Sequence, residues 1–170
     1  LVSGPLGDHG LAVLIAREGL PMRSRLVSDC APLGGLVAAL LAACPGEVRS
    51  LRDPTRGGLA ATLNEWAAGA GLGMAIDEAA VPVRPEVRAA CEMLGLDPLH
   101  AACEGRLVAA VAPGAAERAL RALRGHPLGA GAQEIGAVTD AHPGRVVLVT
   151  ALGARRLLEM PAGDLLPRIC

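Results

Sequence analysis

The sequence lacks lysine, phenylalanine and tyrosine, and its single tryptophan is Trp66. All sixteen basic residues are therefore arginines, so no lysine of this chain can hold a phosphate or form a Schiff base. Because aromatic residues make up only 1% of the chain, stacking on bases or sugars is nearly excluded as a means of binding. The hydrophobic core must instead be built from alanine, leucine and valine.

The chain also lacks a strong excess of one charge, a long apolar run and a signal-peptide pattern. Its formal net charge is −1 with both signs interspersed, which argues against a nucleic-acid-binding surface. No apolar run approaches the ~20 residues of a membrane span, and no basic segment precedes a short hydrophobic one. We therefore expect a cytoplasmic protein without a nucleic-acid or membrane partner, and 170 residues suit one domain.

The spacing of the cysteines excludes the common zinc patterns. No two of the five cysteines lie closer than twelve residues, and the four histidines complete no zinc finger with them, so we expect no metal site. Cys44 and Cys91 fall on apolar faces of predicted helices and are expected in the core. Cys170 is the last residue, where a chain end can present its thiol to a partner. The alternative is that it merely ends the chain, and Cys30 and Cys103 attract less functional interest.

Short apolar runs alternate with alanine- and leucine-rich stretches, which predicts a mixed α/β domain. The predicted helices are 9–19, 33–44, 58–70, 84–94 and 114–125. The predicted strands are 1–3, 48–52, 73–77, 106–112, 134–139 and 145–150. A further short strand-like run follows residue 150. Pro85 near the start and Gly95 just past the end of one helix favour those helix boundaries.

The segment Asp53-Pro54-Thr55-Arg56-Gly57-Gly58 lies between a predicted strand and a predicted helix. Free backbone N–H groups and the helix dipole meet at such a place, which favours an anion such as phosphate. The paired glycines allow a ligand to approach the backbone, while Thr55 adds a hydroxyl and Arg56 a charged fork that fits phosphate. The alternative is an ordinary connection in which Asp53 or Thr55 caps the helix.

Three further segments carry side chains suited to chemistry. Gly7-Asp8-His9-Gly10 precedes a helix in the same way, with Asp8 as a candidate N-cap, and a histidine there is more often a packing residue than a catalyst. Ser28-Asp29-Cys30-Ala31-Pro32-Leu33 precedes another helix and could likewise serve only to cap it. Cys103-Glu104-Gly105-Arg106 lies at a strand entry, where Glu104 could face a cleft as a general base. The alternative is that this glutamate is simply solvated.

These segments, in this order, resemble the HypE family of hydrogenase maturation factors, the carbamoyl dehydratases of nickel–iron hydrogenase assembly. The motifs are SGPLGDHG at 3–10, SDCAPL at 28–33, DPTRGGL at 53–59, PVRP at 82–85, CEMLGLDPL at 91–99, HPLG at 126–129 and PRIC at 167–170. The glycine-rich 53–58 segment is shared with the larger superfamily of aminoimidazole ribonucleotide synthetase and selenophosphate synthetase. The Pro-Arg-Ile-Cys terminus distinguishes HypE within it.

The resemblance implies an α+β fold, a layered α/β sandwich with a mixed sheet like the C-terminal domain of aminoimidazole ribonucleotide synthetase. Residues 1–150 would form that domain, and 151–170 an extension and mobile tail that ends in the acceptor cysteine. The chain opens at Leu1 without an initiator methionine and has the character of a piece of a longer protein. The family's N-terminal domain, which supplies most ATP and Mg²⁺ ligands and the homodimer contact, would lie upstream.

The resemblance also implies a reaction. In the family, the terminal cysteine receives a carbamoyl group from the carbamoyltransferase HypF. ATP then phosphorylates the oxygen of the resulting thiocarboxamide. Loss of phosphate leaves a thiocyanate, whose cyanide passes to iron on the HypC–HypD complex. Carried over, Cys170 is the carrier and Glu104 removes the proton. The implied cofactor-binding residues are Asp53, Thr55, Arg56, Gly57, Gly58, Asp8 and His9.

One departure from the family concerns the proposed base. The family usually has Asn-Glu-Gly-Lys where this chain has Cys103-Glu104-Gly105-Arg106, so Glu104 is kept and the amide before it is lost. Two other functions remain open: a non-catalytic carrier or docking module that partner proteins modify, and a superfamily ATP enzyme acting on a small molecule. If the chain is only the C-terminal domain, we expect no turnover by it alone.

Overall fold

The structure, a computed structural model, describes residues 1–20 and 25–160. Its α-helices are α1 (Asp8–Arg17), α2 (Gly34–Ala43), α3 (Gly58–Ala70), α4 (Pro85–Leu94) and α5 (Ala116–Arg124). Its strands are β1 (Val48–Arg52), β2 (Gly73–Asp77), β3 (Val108–Val111), β4 (Gly136–Thr139), β5 (Val146–Val149) and β6 (Arg155–Leu157). Short 3₁₀ helices lie at Glu78–Ala80, Pro98–His100, Pro113–Ala115 and Pro127–Gly129. Among these residues, no helix has both the length and the apolar character needed to cross a bilayer.

Within the described ranges, the strands form two sheets. The larger sheet has the order β4–β2–β5–β6, in which β2 is parallel to β5 and the other neighbours are antiparallel. A parallel pair needs a long crossover, and here the chain between β2 and β5 passes through α4, β3, α5 and β4. The smaller sheet pairs β1 with β3 in antiparallel fashion. A mixed sheet combined with five helices confirms the expected α+β fold class.

The predicted strand 1–3 is wrong as a regular strand. Val2 forms isolated bridges to Val108 and Gln133, with backbone N–H···O distances of 2.9 and 3.0 Å between Val2 and Gln133. The chain bends immediately afterwards, and Pro5 has no N–H with which to extend a ladder. The other predicted helices and strands are present, with ends that move by at most two residues.

Helices cover one face of each sheet and enclose the core. Leu59 and Leu63 of α3 pack with Ile76 of β2 in the cluster beneath the larger sheet. Leu40 of α2 and Leu123 of α5 belong to the cluster that covers the smaller sheet. Each fully buried aliphatic side chain of this kind contributes about 1.5–3 kcal/mol relative to exposure, so aliphatic packing replaces the missing aromatics.

The cysteines assigned to the core lie there. Cys44 packs between α2 and α5, and Cys91 packs between α4 and α1. Both side chains are fully buried, and burial raises the pKa of the Cys91 thiol to about 11. These two thiols are therefore packing groups, as the apolar helix faces predicted.

Candidate functional site

Residues 53–58 connect β1 to α3, as the sequence predicted. Gly57 and Gly58 both adopt the left-handed backbone conformation, with φ of 69° and 61°, which favours glycine. Gly57 is the N-cap of α3, so neither Asp53 nor Thr55 occupies the capping position. The alternative interpretation of these residues as helix caps is therefore wrong.

The inner side of this loop is packed against the 3₁₀ helix that follows α4. A Cβ atom on Gly58 would lie 2.6 Å from the carbonyl oxygens of both Leu99 and Ala101, so the backbone approach requires glycine. Asp53 and Arg56, by contrast, have exposed side chains. The loop therefore holds a carboxylate and a guanidinium near the N-terminal end of α3, where the helix dipole favours an anion.

Residues 103–106, which precede β3, lie directly beside this loop. The backbone N–H of Cys103 donates to the carbonyl oxygen of Pro54 at 3.0 Å. Glu104 is half-buried and lines a cavity of about 400 Å³ together with Asp53. The structure thus brings two of the predicted site residues, Glu104 and Asp53, to the same cavity.

The rest of the cavity wall is largely apolar. Arg52 is its other charged residue, and the remaining wall consists of Ala31, Leu33, Val37, Leu51 and Leu107. Such a cavity can hold a small polar group carried on an apolar stem and offer a carboxylate as a proton acceptor. Among the described residues, Thr55, Arg56, Gly57, Gly58, Asp8 and His9 are not part of this wall.

The thiol of Cys103 has a structural contact. Its sulfur is fully buried and accepts the backbone N–H of Gly7 at 3.2 Å. Burial raises the pKa of this thiol to about 12, which keeps it protonated at neutral pH. A protonated thiol is neither a nucleophile nor a metal ligand, so the functional interest in Cys103 from the sequence does not extend to thiol chemistry.

The first turn of α1 carries Asp8 and His9, which are both buried. Gly7 is the N-cap, so the expectation that Asp8 caps the helix is wrong. Burial raises the pKa of the Asp8 carboxyl, and Arg84, whose Nε lies 3.3 Å from it, only partly offsets this effect. The Nδ1 of His9 is 2.7 Å from Ser28 Oγ, while its Nε2 is buried and has no hydrogen-bond partner.

Sequence reasoning missed Asp29, which joins these parts of the site. Residues 28–33 were explained by capping of α2, but that helix has Leu33 as its N-cap and no side-chain cap. The Asp29 carboxylate instead accepts the backbone N–H of Glu104 at 3.0 Å, and it lies 3.6 Å from Arg106 Nε. The only signal in the sequence was the aspartate of the SDCAPL motif itself. It could not identify the partner, because Glu104 is 75 residues away.

Other candidate features lie outside this site or outside the described residues. Cys30 is exposed as a free thiol. A second cavity, of about 440 Å³, lies between the two sheets, with Glu134 as its one charged wall residue among those described. Within 1–20 and 25–160, no group of three or more His, Cys, Asp or Glu side chains could hold a metal ion. Of the predicted extension and tail at 151–170, residues 161–170, which include Cys170, lie outside the described residues.

Known proteins that are similar to this chain match it along nearly its whole length. The family described as "AIR synthase related protein, C-terminal domain" matches residues 1–149. Carbamoyl dehydratase HypE of Rhizobium leguminosarum bv. viciae is 52% identical over 170 residues, which are 100% of this chain and 49% of that protein. The chain thus spans about half the length of the curated relatives it matches.

Two solved structures of relatives show the same fold. A crystal structure of hydrogenase maturation protein HypE in complex with ATP matches with a TM-score of 0.91 and 46% identity, over 99% of this chain and 51% of that one. A crystal structure of a HypE–HypF complex matches with a TM-score of 0.90 and 41% identity, over 94% of this chain and 52% of that one.

Proposed function

Since the chain belongs to the AIR synthase related family, as a C-terminal domain similar to that part of HypE, we propose that it forms one side of an ATP-dependent carbamoyl dehydratase site. The substrate is a carbamoyl group on Cys170 of the same chain. The product is a protein-bound thiocyanate, which provides the cyanide for the iron of a nickel–iron hydrogenase. Because the relatives are about twice as long, turnover is expected only together with their other half.

The proposed reaction removes the elements of water from a thiocarbamate, R–S–CO–NH₂. The carbonyl oxygen attacks the γ-phosphorus of ATP, ADP leaves, and one N–H proton is lost, which gives a phosphorylated imidate. The second N–H proton then passes to a base while the C–O bond breaks and phosphate departs, which leaves R–S–C≡N. The chemistry therefore requires a base near nitrogen and the exclusion of water that would hydrolyse the intermediate.

The observation that carries this proposal is the position of Glu104 beside Asp53 on the wall of one cavity. A general base must come within hydrogen-bond distance of the proton that it removes, and a half-buried carboxylate on a cavity wall is available for this. We therefore assign proton removal to Glu104 and the carrier role to Cys170.

Residues 53–58 are proposed to face the phosphates of ATP. A HypE relative binds ATP, and in this chain two left-handed glycines, Gly57 and Gly58, lie at the N-terminus of α3, where an anion is favoured. Within this loop, Asp53, Thr55, Arg56, Gly57 and Gly58 form the proposed nucleotide-binding set, which Asp8 and His9 complete from α1. Mg²⁺ would accompany ATP, and its protein ligands are proposed to come mostly from the other half of the longer relatives.

The proposed partners follow from the reaction. The carbamoyl donor is the carbamoyltransferase HypF, and a HypE relative has been crystallised in complex with HypF. The HypC–HypD complex is the proposed acceptor of the cyanide. A homodimer of the longer form and a cytoplasmic location complete the proposal.

The test joins the complete chain to the remaining half of the Rhizobium leguminosarum relative. The fusion is incubated with ATP, Mg²⁺, carbamoyl phosphate and HypF, and the C-terminal peptide is mapped by mass spectrometry. We expect a carbamoyl mass and then a thiocyanate mass on Cys170. Glu104→Gln should retain the carbamoyl group and form no thiocyanate, while Glu117→Gln, an exposed residue of α5, serves as the matched control.

The same experiment separates the other two functions. A carrier that is modified by its partners predicts that Glu104→Gln has no effect on thiocyanate formation. A superfamily enzyme that acts on a small molecule predicts that deletion of Cys170 leaves ATP-dependent turnover intact. If the chain without its other half couples ATP hydrolysis to thiocyanate formation, the view of it as an incomplete site is wrong.

A further inference from the structure

Asp29 contacts three successive residues of the segment that carries Glu104. Its Oδ1 accepts the backbone N–H of Glu104 at 3.0 Å. Its own carbonyl oxygen lies so close to Gly105 that a Cβ there would be 1.7 Å away, which only glycine permits. Its Oδ2 lies 3.6 Å from Arg106 Nε. One residue of a distant loop therefore fixes the path of the chain at and after Glu104.

The Asp29 carboxylate is buried, so it requires hydrogen-bond and charge partners within the protein. The Asp29 side chain is only 1% exposed, and Oδ2 has no hydrogen-bond partner. A buried carboxylate is costly unless it is paired and hydrogen-bonded. The hydrogen bond from the Glu104 N–H and the positive charge of Arg106 offset the cost of burying the Asp29 carboxylate. Arg106 is itself held by hydrogen bonds to the carbonyl oxygens of Pro5 and Leu128.

A second anchor holds the same segment from the opposite side. The N–H of Cys103 donates to Pro54 in the 53–58 loop at 3.0 Å. Glu104 thus lies between one anchor on the proposed nucleotide loop and another on Asp29. Loss of the Asp29 anchor would leave the Glu104 N–H without its acceptor, while Arg106 would keep its hydrogen bonds to Pro5 and Leu128. A displacement of about 1 Å in a catalytic group is enough to cost roughly 100-fold in rate.

We propose that Asp29 is a positioning residue, which through its hydrogen bond to the Glu104 N–H holds the Glu104 carboxylate on the cavity wall beside Asp53. The effect of Asp29 on catalysis rests on the proposed function, because it requires Glu104 to be the base. The hydrogen bond between Asp29 and Glu104 does not depend on that function. Hydrogen bonding rather than charge is the essential property. Asparagine at this position keeps an acceptor for the Glu104 N–H and should therefore retain the effect, while alanine should lose it.

The experiment compares Asp29→Ala, Asp29→Asn and, as a control, Asp140→Ala, whose side chain lies on an exposed loop between β4 and β5. All are made in the fusion described above. Amide hydrogen exchange of the peptide that contains residues 103–106 reports the anchor directly. Thiocyanate formation from carbamoylated Cys170, with kcat and the KM for ATP measured separately, reports its consequence.

We expect Asp29→Ala to speed exchange at residues 104–106 at least tenfold and to lower kcat at least tenfold, with KM for ATP and carbamoyl loading unchanged. Asp29→Asn should stay within about threefold of the unaltered protein in both measurements, and Asp140→Ala should change neither. Unchanged exchange in Asp29→Ala would overturn the proposal. If that variant does not fold, a tenfold loss of kcat in Asp29→Asn overturns it instead.

The two proposals can fail separately. If the unaltered fusion forms no thiocyanate while HypF is active, the proposed function fails. The exchange result then decides the anchor alone: faster exchange in Asp29→Ala with protection retained in Asp29→Asn supports it, and equal exchange in all variants overturns it.

Discussion

Replacing Gly58 with alanine should destabilise the domain clearly more than the same replacement at Gly71. Gly58 is the first residue of α3 and Gly71 is its C-cap, and both have left-handed backbones, with φ of 61° and 65°. Each substitution therefore incurs the same conformational cost, about 1–2 kcal/mol for a residue with a Cβ atom. The surroundings differ, because nothing lies within 4 Å of a Cβ on Gly71, whereas a Cβ on Gly58 would lie 2.6 Å from the carbonyl oxygens of Leu99 and Ala101.

The size of the difference follows from that clash. The atoms in the way belong to backbone, so either the start of α3 or the chain at residues 99–101 must move. Overpacking of this kind costs about 1–3 kcal/mol. The total loss in the free energy of unfolding should then be about 2–5 kcal/mol for Gly58→Ala, against about 1–2 kcal/mol for Gly71→Ala. At roughly 2–4 °C per kcal/mol for a domain of this size, Tm should differ by roughly 2–12 °C.

Urea and thermal unfolding of the full chain, followed by circular dichroism, measure both variants under the same conditions. The two proteins should share one m-value, so that the difference in midpoint reports stability alone. Gly95→Ala, another left-handed position with open space around it, provides a second control. Equal destabilisation at Gly58 and Gly71 would refute the close approach of residues 99–101 to the loop.

Two further predictions concern titratable groups. Asp8→Asn should increase the free energy of unfolding at pH 7 and leave it nearly unchanged near pH 3. The reason is that burial raises the pKa of Asp8, so the folded chain favours the protonated carboxyl. A lower free energy of unfolding for Asp8→Asn at pH 7, measured by urea titration, would rule this out. Iodoacetamide at pH 8 should alkylate exposed Cys30 and spare Cys103 until the chain unfolds, which peptide mapping detects, because burial raises the Cys103 pKa to about 12; early labelling of Cys103 would show that the thiol is accessible.

Local sequence signals predicted the regular elements well. Pro85 at the first position of α4 and Gly95 at its end, with φ of 66°, act through the conformation of single residues, which the sequence alone shows. The 53–58 loop could be placed for the same reason, because paired glycines between a strand and a helix restrict the backbone locally. The strand expected at 1–3 failed since its extent depends on partners more than a hundred residues away and on Pro5.

The parts of the site that the sequence did not predict depend on distant contacts. Asp29 and Glu104 are 75 residues apart, and nothing in the pattern around either one indicates the other. Cys103, which stands where the family usually has asparagine, accepts the N–H of Gly7 across the fold, and no local pattern indicates that contact. Which buried polar group pairs with which backbone N–H is decided by tertiary packing, so these contacts become visible only in the folded chain.

The docking of β6 has a consequence for the geometry of the proposed carrier. β6 is hydrogen-bonded to β5, and the N–H of the following residue, Leu158, donates to Val146, so this part of the chain has a fixed position on the sheet. Cys170 is ten residues after Met160, and a chain spans at most about 3.6 Å per residue, so the Cα atom of Cys170 stays within about 36 Å of that of Met160. For the proposed carrier, the encounter of the Cys170 thiol with the Glu104 cavity would be an intramolecular step at an effective concentration set by this tether, whereas transfer from HypF would still be an association of two proteins.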